Sequence, residues 1–149
     1  MDLFERVKSS YLSRGLLDDE VAHIVAIASE DTLEDGATIV RAGDLATDFF
    51  LVLDGKVIVR GADGEPIGRL AAGAIIGEVA LLTEGERTAT VVSDGPTVVA
   101  HFPGHLFNEL IDREPSLGVR VLRNIGATLV DRLQRSNIQL ERVLAASGF

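Results

Sequence analysis

The chain has 149 residues, a net charge of −9 at pH 7 and no cysteine. The acidic balance argues against broad electrostatic binding of nucleic acid or anionic lipid, and the lack of cysteine excludes disulfides, thiolate zinc sites and thiol chemistry. Residues 1–10 do not resemble a signal peptide, and no apolar run is long enough to span a bilayer, so we expect a single cytoplasmic domain, residues 1–149, without membrane contact.

The first 30 residues are predicted to form two helices. Apolar residues recur at helical spacing from about Leu3 to Ala28, and Gly15 interrupts this run. Asp18 is predicted to be the N-cap of the second helix, because its side chain can accept a hydrogen bond from the first helical turn.

Residues 31–102 have the pattern of a β-structure. Four Asp-Gly pairs, at 35–36, 54–55, 63–64 and 94–95, separate short runs that are rich in β-branched and aromatic residues. Many short strands with a turn about every ten residues are typical of an all-β sandwich or a small barrel.

Residues 103–149 are predicted to be helical again, with Pro115 in the first turn of a long helix. Two neighbouring heptad stripes run along this helix: Val119, Gly126, Leu133 and Leu140, and Leu122, Leu129, Ser136 and Val143. Gly126 and Ser136 interrupt them, so the helix could pack on the strands, on a second copy of itself, or on each in turn. The helix also carries arginines that we interpret as a solvated face: Arg120, Arg123, Arg132, Arg135 and Arg142.

The stretch IGEVALLTEGERTATV, residues 76–91, is the strongest candidate for a binding site. If Gly77 allows a close approach of the main chain and the next residues form a helical turn, the N–H groups at the start of that turn suit a phosphate oxygen. Arg87 could then pair with the same phosphate through two parallel hydrogen bonds. A phosphate would repel Glu78, so its carboxylate needs a donor such as a sugar hydroxyl. The pattern indicates a small ligand with both a phosphate and a free hydroxyl.

Each of these two residues, taken alone, could also have a purely structural role instead of binding a ligand. Glu78 could simply favour a helix N-terminus, and Arg87 could form a surface pair with Glu84 or Glu86. The two residues at this spacing, between predicted strands, favour a ligand site instead.

The stretch GEVALLTEGERTATV closely resembles the phosphate-binding cassette of cyclic nucleotide-binding domains, in which Gly-Glu-x-Ala-Leu and a spacer precede Arg-(Ser/Thr/Ala)-Ala. That family includes the bacterial catabolite activator and the regulatory subunits of cyclic AMP-dependent kinase. The resemblance implies an α+β fold: an eight-stranded antiparallel β jelly roll flanked by N-terminal helices and a long C-terminal helix. One departure is Ile76, where the family often has an aromatic residue.

The resemblance also implies roles for the site residues. Glu78 would accept the ribose 2′-hydroxyl, and Arg87 would pair with the cyclic phosphate. Gly77, Val79 and Ala80 would line the ligand through their main chain, and Thr88 and Ala89 would donate to the phosphate or the base. The segment RLQRSN, residues 132–137, is similar to the lid over the purine in the bacterial activators, which makes Ser136 and Asn137 the expected base contacts.

We therefore expect a stand-alone, non-enzymatic, bacterial receptor for a cyclic mononucleotide, cyclic AMP in preference to cyclic GMP, with no further cofactor. It would signal through its C-terminal helix to an unidentified protein effector, and it could form a homodimer through that helix. The chain ends soon after the helix, so no DNA binding is expected. The alternative is a jelly-roll dimerisation or interaction module with a vestigial ligand site. His101 and His105 lack the companions of a metal site, and no catalytic triad is recognisable, so neither a metal nor catalysis is expected.

Overall fold

The computed structural model describes residues 2–83 and 85–146, except for the side chains of Ala80, Leu81, Thr83 and residues 139–146. The helices are α1 (Leu3–Ser9), a 3₁₀ turn (Tyr11–Ser13), α2 (Asp18–Ile27), α3 (Glu78–Thr83), α4 (Gly104–Arg113) and α5 (Pro115–Ala146). The strands are β1 (Ser29–Leu33), β2 (Thr38–Val40), β3 (Phe49–Asp54), β4 (Lys56–Arg60), β5 (Pro66–Ala71), β6 (Ile75–Ile76), β7 (Thr90–Ser93) and β8 (Thr97–Phe102).

In this described part of the chain the strands form two four-stranded sheets, with the orders β1-β8-β3-β6 and β2-β7-β4-β5. All neighbouring strands are antiparallel. Eight antiparallel strands flanked by helices confirm the predicted α+β class. Strand β1 begins at Ser29 rather than at residue 31, because Ser29 already pairs with His101 of β8.

Strand β3 separates two apolar cores, since its successive side chains point to opposite faces of the sheet. Phe49 packs in the core that the helices cover, with its ring 4.7 Å from that of Phe102. Val52 packs in a second core, which includes Val57 and Val91 of the other sheet. The first sheet is therefore covered by helices on one face and by the second sheet on the other.

The four Asp-Gly pairs lie at turns, as predicted, and their glycines have φ between 80° and 90°. A left-handed backbone of this kind favours glycine. At Gly55 the need is also steric, because a Cβ atom there would lie 2.6 Å from the main-chain oxygen of Pro96.

The predicted N-cap of α2 is wrong by one residue. The N-cap is Leu17, whose N–H donates to Glu20 Oε1 at 2.9 Å, and Asp18 is the first helical residue. Leu17 has no polar side chain to cap the helix, so within the described residues the only side-chain hydrogen bond of this cap is the one that Glu20 accepts from the N–H of Leu17. Asp18 adds negative charge to the first turn.

Helix α5 begins at Pro115, as predicted, and its first half packs on the domain. Leu117, Val121 and Ile125 are buried there, and Asn124 donates to the main-chain oxygens of Leu12 and Arg14 at 2.9 Å each. These contacts fix the first half of α5 against the N-terminal segment.

The two predicted heptad stripes of α5 have different environments. Leu122 and Leu129 pack against the core, whereas Val119 and Leu133 are 50% and 62% exposed. Ser136 is exposed, and the side chains of Leu140 and Val143 lie outside the described part. None of the helices that the structure describes is both long and apolar enough to cross a membrane.

Candidate ligand-binding site

The site begins where β6 turns into α3. Ile75 is buried in the core under the helices and Ile76 in the core between the sheets, so the end of β6 is held from both sides. Gly77 follows with φ 87°, and Glu78 starts α3. A Cβ atom on Gly77 would lie 2.5 Å from Arg87 Nη1 and 2.9 Å from the main-chain oxygen of Asp48. Arg87 and Asp48 therefore approach Gly77 closely, and any larger residue would clash with them.

Arg87 is anchored through both its main chain and its side chain. Its N–H donates to the oxygen of Asp44 and its oxygen accepts from the N–H of Gly43, each at 2.9 Å. Its guanidinium donates to the main-chain oxygens of Gly77, at 2.8 Å, and Asp48. The residue is only 6% exposed. A guanidinium has five N–H donors, so a group fixed by two of them is still able to bind an anion.

Glu78 is also 6% exposed, and its Oε1 accepts from Arg132 Nη1 at 3.2 Å. Burial raises the pKa of Glu78, although its own main-chain N–H and the charges of Arg132 and Arg87 oppose that shift. Burial likewise lowers the pKa of Arg87, against the opposing charges of Asp48, Glu78 and Asp44. Each of these charged groups thus has less solvation than it would have in water.

Glu78 and Arg87 both line one cavity of about 150 Å³. Its apolar lining comes from both sheets: Val40, Val59, Leu70, Ile75, Ile76 and Val91. Its remaining lining comes from the cassette and from α5: Gly77, Glu78, Val79, Arg87, Thr88, Ala89 and Arg132. A carboxylate, a guanidinium and an apolar floor therefore face one space.

Six of the predicted site residues line this cavity: Gly77, Glu78, Val79, Arg87, Thr88 and Ala89. The seventh residue of the cassette, Ala80, lies in α3, and its side chain is outside the described part. The structure thus brings the described cassette residues together around one space.

The structure does not bring Ser136 and Asn137 to the cavity. Both side chains are exposed, and Arg132 is the residue of α5 that lines the space. At a rise of about 1.5 Å per residue, Ser136 lies roughly 6 Å further along the helix axis than Arg132. The RLQRSN segment therefore meets the cassette through its first residue, Arg132.

The interpretation of Arg132 as part of a solvated face is wrong. Its side chain is half-buried and pairs with Glu78. The charge pattern of α5 could not identify it, because Arg132 has the same local pattern as the exposed Arg135. No local signal in the sequence could have found it, because its partner Glu78 is 54 residues away.

Sequence reasoning also missed Asp48, which directly precedes β3. Its main-chain oxygen accepts from Arg87, its Oδ1 accepts from the N–H of Gly104 at 2.9 Å, and its Oδ2 lies 2.7 Å from His101 Nε2. Asp48 thus joins β3, β8 and the start of α4 to the guanidinium. Among the described side chains, no group of three His, Cys, Asp or Glu residues is placed to hold a metal ion.

The family profile described as "Cyclic nucleotide-binding domain" matches residues 30–114. Glutaminase 1 of Bradyrhizobium diazoefficiens is 35% identical over 130 residues, which are 87% of this chain and 21% of that protein. The chain thus spans about a fifth of the length of this curated relative.

Two solved structures share the fold over most of the chain. The Thermus thermophilus catabolite activator protein has a TM-score of 0.74 and 30% identity, over 90% of this chain and 63% of that one. The regulatory domain of Toxoplasma gondii PKA, crystallised with cAMP, has a TM-score of 0.71 and 26% identity, over 84% of this chain and 48% of that one.

The raised pKa of Glu78 predicts a pH dependence of stability without ligand. The folded protein holds this proton more tightly than the unfolded chain does, so stability falls as the pH rises from the ordinary carboxyl range through the raised value. Glu78→Gln cannot ionise. We expect its free energy of unfolding, relative to wild type, to increase between pH 4 and pH 7 in urea titrations.

The control is Glu109→Gln, at an exposed position of α4. Its effect on the free energy of unfolding at each pH is subtracted from that of Glu78→Gln, because it makes the same chemical change outside the site. A Glu78→Gln effect that is equal at both pH values, after this correction, would contradict the prediction.

Proposed function

The chain belongs to the cyclic nucleotide-binding domain family, and on that premise we propose that it is a non-enzymatic receptor for a cyclic mononucleotide. One observation carries the proposal: the buried carboxylate of Glu78 and the buried guanidinium of Arg87 face the same cavity. A cyclic nucleotide offers an anionic phosphate beside a free ribose hydroxyl, so a single ligand can bind both groups.

Arg87 binds the cyclic phosphate in this proposal, and Glu78 accepts the 2′-hydroxyl. The main chain of Gly77, Val79 and Ala80 lines the ligand, and Thr88 and Ala89 donate to the phosphate or base. The apolar lining from both sheets packs against the sugar and purine. A cavity of about 150 Å³ is smaller than the roughly 300 Å³ or more that is usual for ligand pockets, so the purine extends beyond the cavity.

We propose cyclic AMP rather than cyclic GMP as the ligand. The support is that the similar regulatory domain of Toxoplasma gondii PKA was crystallised with cAMP. Thr88 is exposed at the cavity edge, and its hydroxyl could serve a phosphate or a guanine amino group, so the residue does not itself choose between the two nucleotides.

Signalling through α5 is the second part of the proposal. The first half of α5 is packed on the domain, whereas Arg132 connects its second half to Glu78. A ligand hydroxyl that binds Glu78 competes with Arg132 for that carboxylate and so changes what holds the second half. A switch of this kind requires that the ligand bind the two arrangements of α5 unequally. Closure of residues 132–137 over the purine would then bring Ser136 and Asn137 to the base.

Val119, Val130 and Leu133 are exposed and, at helical spacing, lie along one side of α5. This exposed stripe supports the alternative function of a dimerisation module, because exposed apolar surfaces can mark interaction sites. The same stripe suits a homodimer or a protein effector of the receptor. A receptor and a module with a vestigial site differ in whether a cyclic nucleotide binds at the cassette.

Several expectations from the sequence stay predictions. They are the single domain over residues 1–149, the cytoplasmic and bacterial setting, and the absence of DNA binding and membrane contact. We also infer that the two sheets form a jelly roll, since the orders β1-β8-β3-β6 and β2-β7-β4-β5 fit two four-stranded sheets joined by Greek-key connections.

Thermal unfolding tests the receptor proposal. Ligand at a hundred times its dissociation constant adds about 2.7 kcal/mol to stability, a rise of roughly 5 to 10 °C in Tm for a domain of this size. We expect this rise with cyclic AMP in wild type and in the control Arg113→Ala, at an exposed position of α4. Arg87→Ala should abolish it, and Arg87→Lys, which keeps the charge but not the planar fork, should retain only part.

Cyclic GMP, also in excess, is tested separately in the same assay as the alternative ligand. A wild-type protein that shows no rise with either nucleotide would refute the receptor and favour the dimerisation module.

Hydrogen exchange tests the switch. We expect cyclic AMP to change amide protection over residues 128–136 in wild type, because the ligand alters the Glu78–Arg132 contact. Arg132→Gln should lose most of this response. The matched control is Arg135→Gln, since Arg135 is 76% exposed and pairs with Asp131 on the same helix. Equal protection with and without ligand, in a wild-type protein that binds it, would exclude switching through α5.

A further inference from the structure

His101 lies between the carboxylates of Asp48 and Asp31 and does not line the cavity. Its Nε2 is 2.7 Å from Asp48 Oδ2, and its Nδ1 is 3.9 Å from Asp31 Oδ2. Its ring stacks on Phe50 with the centroids 4.8 Å apart. The side chain is 27% exposed, so protons from solvent can reach it.

Asp48 connects this histidine to the proposed phosphate site. Its main-chain oxygen accepts from Arg87, and its side chain holds the N–H of Gly104. Burial alone would raise the pKa of Asp48, but the bonds from Gly104 and His101 keep it below its usual value. Asp48 is therefore a carboxylate, and its negative charge favours the charged form of Arg87.

We propose that His101 is a positioning residue for the ligand, which acts on Arg87 through Asp48, and that protonation of its ring strengthens the binding of an anionic ligand. This inference rests on the proposed function. No role for His101 follows from the cassette, because the residue neither belongs to it nor lines the cavity.

Protonation of His101 should raise the affinity rather than lower it, because Asp48 and the ligand both interact with Arg87. The carboxylate of Asp48 and the ligand phosphate both interact with the same guanidinium, so the charge of Asp48 opposes binding of the anion. A neutral His101 ring can donate from Nε2 to Asp48 but leaves that charge in place. An imidazolium offsets it, and imidazoles titrate between about pH 5 and pH 8.

The other charged groups near His101 are Asp31, whose Oδ2 lies 3.9 Å from Nδ1, and Arg87, which donates to the main-chain oxygen of Asp48. The phosphodiester of a cyclic nucleotide keeps one negative charge across this pH range, so the ligand itself does not titrate. Protonation of Glu78 would weaken its contact with a ribose hydroxyl and would therefore act in the opposite direction. Solvent partly screens the positive charge of a protonated His101. We therefore expect the affinity for the cyclic nucleotide to be only roughly threefold higher at pH 6 than at pH 8.

The dissociation constant of cyclic AMP, measured by calorimetry on the full chain at pH 6, 7 and 8, tests the proposal. Wild type should show the threefold change. His101→Gln should keep the affinity of wild type at pH 8, because an amide can still donate to Asp48, but should lose the rise in affinity towards pH 6. His105→Gln, an exposed histidine on α4, should behave as wild type.

Titrations in two buffers of different ionisation enthalpy give a second readout that needs no variant. A threefold dependence corresponds to an uptake of about 0.3 proton per ligand at its steepest point. Zero uptake by wild type, or a rise in affinity towards pH 6 that persists in folded His101→Gln, would overturn the role of His101 alone. Failure of wild type to bind either cyclic AMP or cyclic GMP at any pH would overturn the proposed function together with this inference.

Discussion

The hydrogen bonds from Arg87 to the main-chain oxygens of Gly77 and Asp48 are the constraint on which the site depends. Those oxygens lie beside a strand pair, since Asp48 precedes β3, Gly77 follows β6, and Phe50 of β3 pairs with Ile76 of β6. The guanidinium is thus fixed to the edge of a sheet that is packed on both faces. Such a cation is oriented before a ligand arrives, which reduces the entropy lost on binding.

This arrangement has an electrostatic cost, because burial disfavours the charged forms of both Arg87 and Glu78. Groups with perturbed pKa values in a cleft are typical of functional sites. Arg132 offsets part of the cost for Glu78, and Asp48 offsets part of it for Arg87. A cyclic nucleotide would offset both, since its phosphate faces the cation and its hydroxyl donates to the carboxylate. The proposed coupling of the site to α5 and to His101 rests on these contacts, because the partners of the charged groups belong to other elements.

Local patterns determined how much could be predicted. The Asp-Gly turns, the short β-branched runs and the start of α5 at Pro115 are properties of neighbouring residues, and the cassette has a fixed local spacing, so the fold class and the cavity residues could be predicted. Arg132 and His101 could not, because their partners Glu78 and Asp48 are 54 and 53 residues away in sequence. A charged residue on a helix has the same local pattern whether it faces water or a buried carboxylate, and only the packing of α5 distinguishes Arg132 from Arg135.

The claim that Glu78 and Arg87 together recognise one cyclic nucleotide is tested most directly by a thermodynamic cycle on the hydroxyl contact. Calorimetry would compare cyclic AMP with 2′-deoxy cyclic AMP on wild type and on Glu78→Ala. A hydrogen bond to a charged group is worth about 1.5–3 kcal/mol, so wild type should bind the deoxy ligand at least about tenfold more weakly. Glu78→Ala should bind the two ligands with nearly equal affinity. The same discrimination in both proteins would show that the carboxylate does not contact the ribose and would contradict the account.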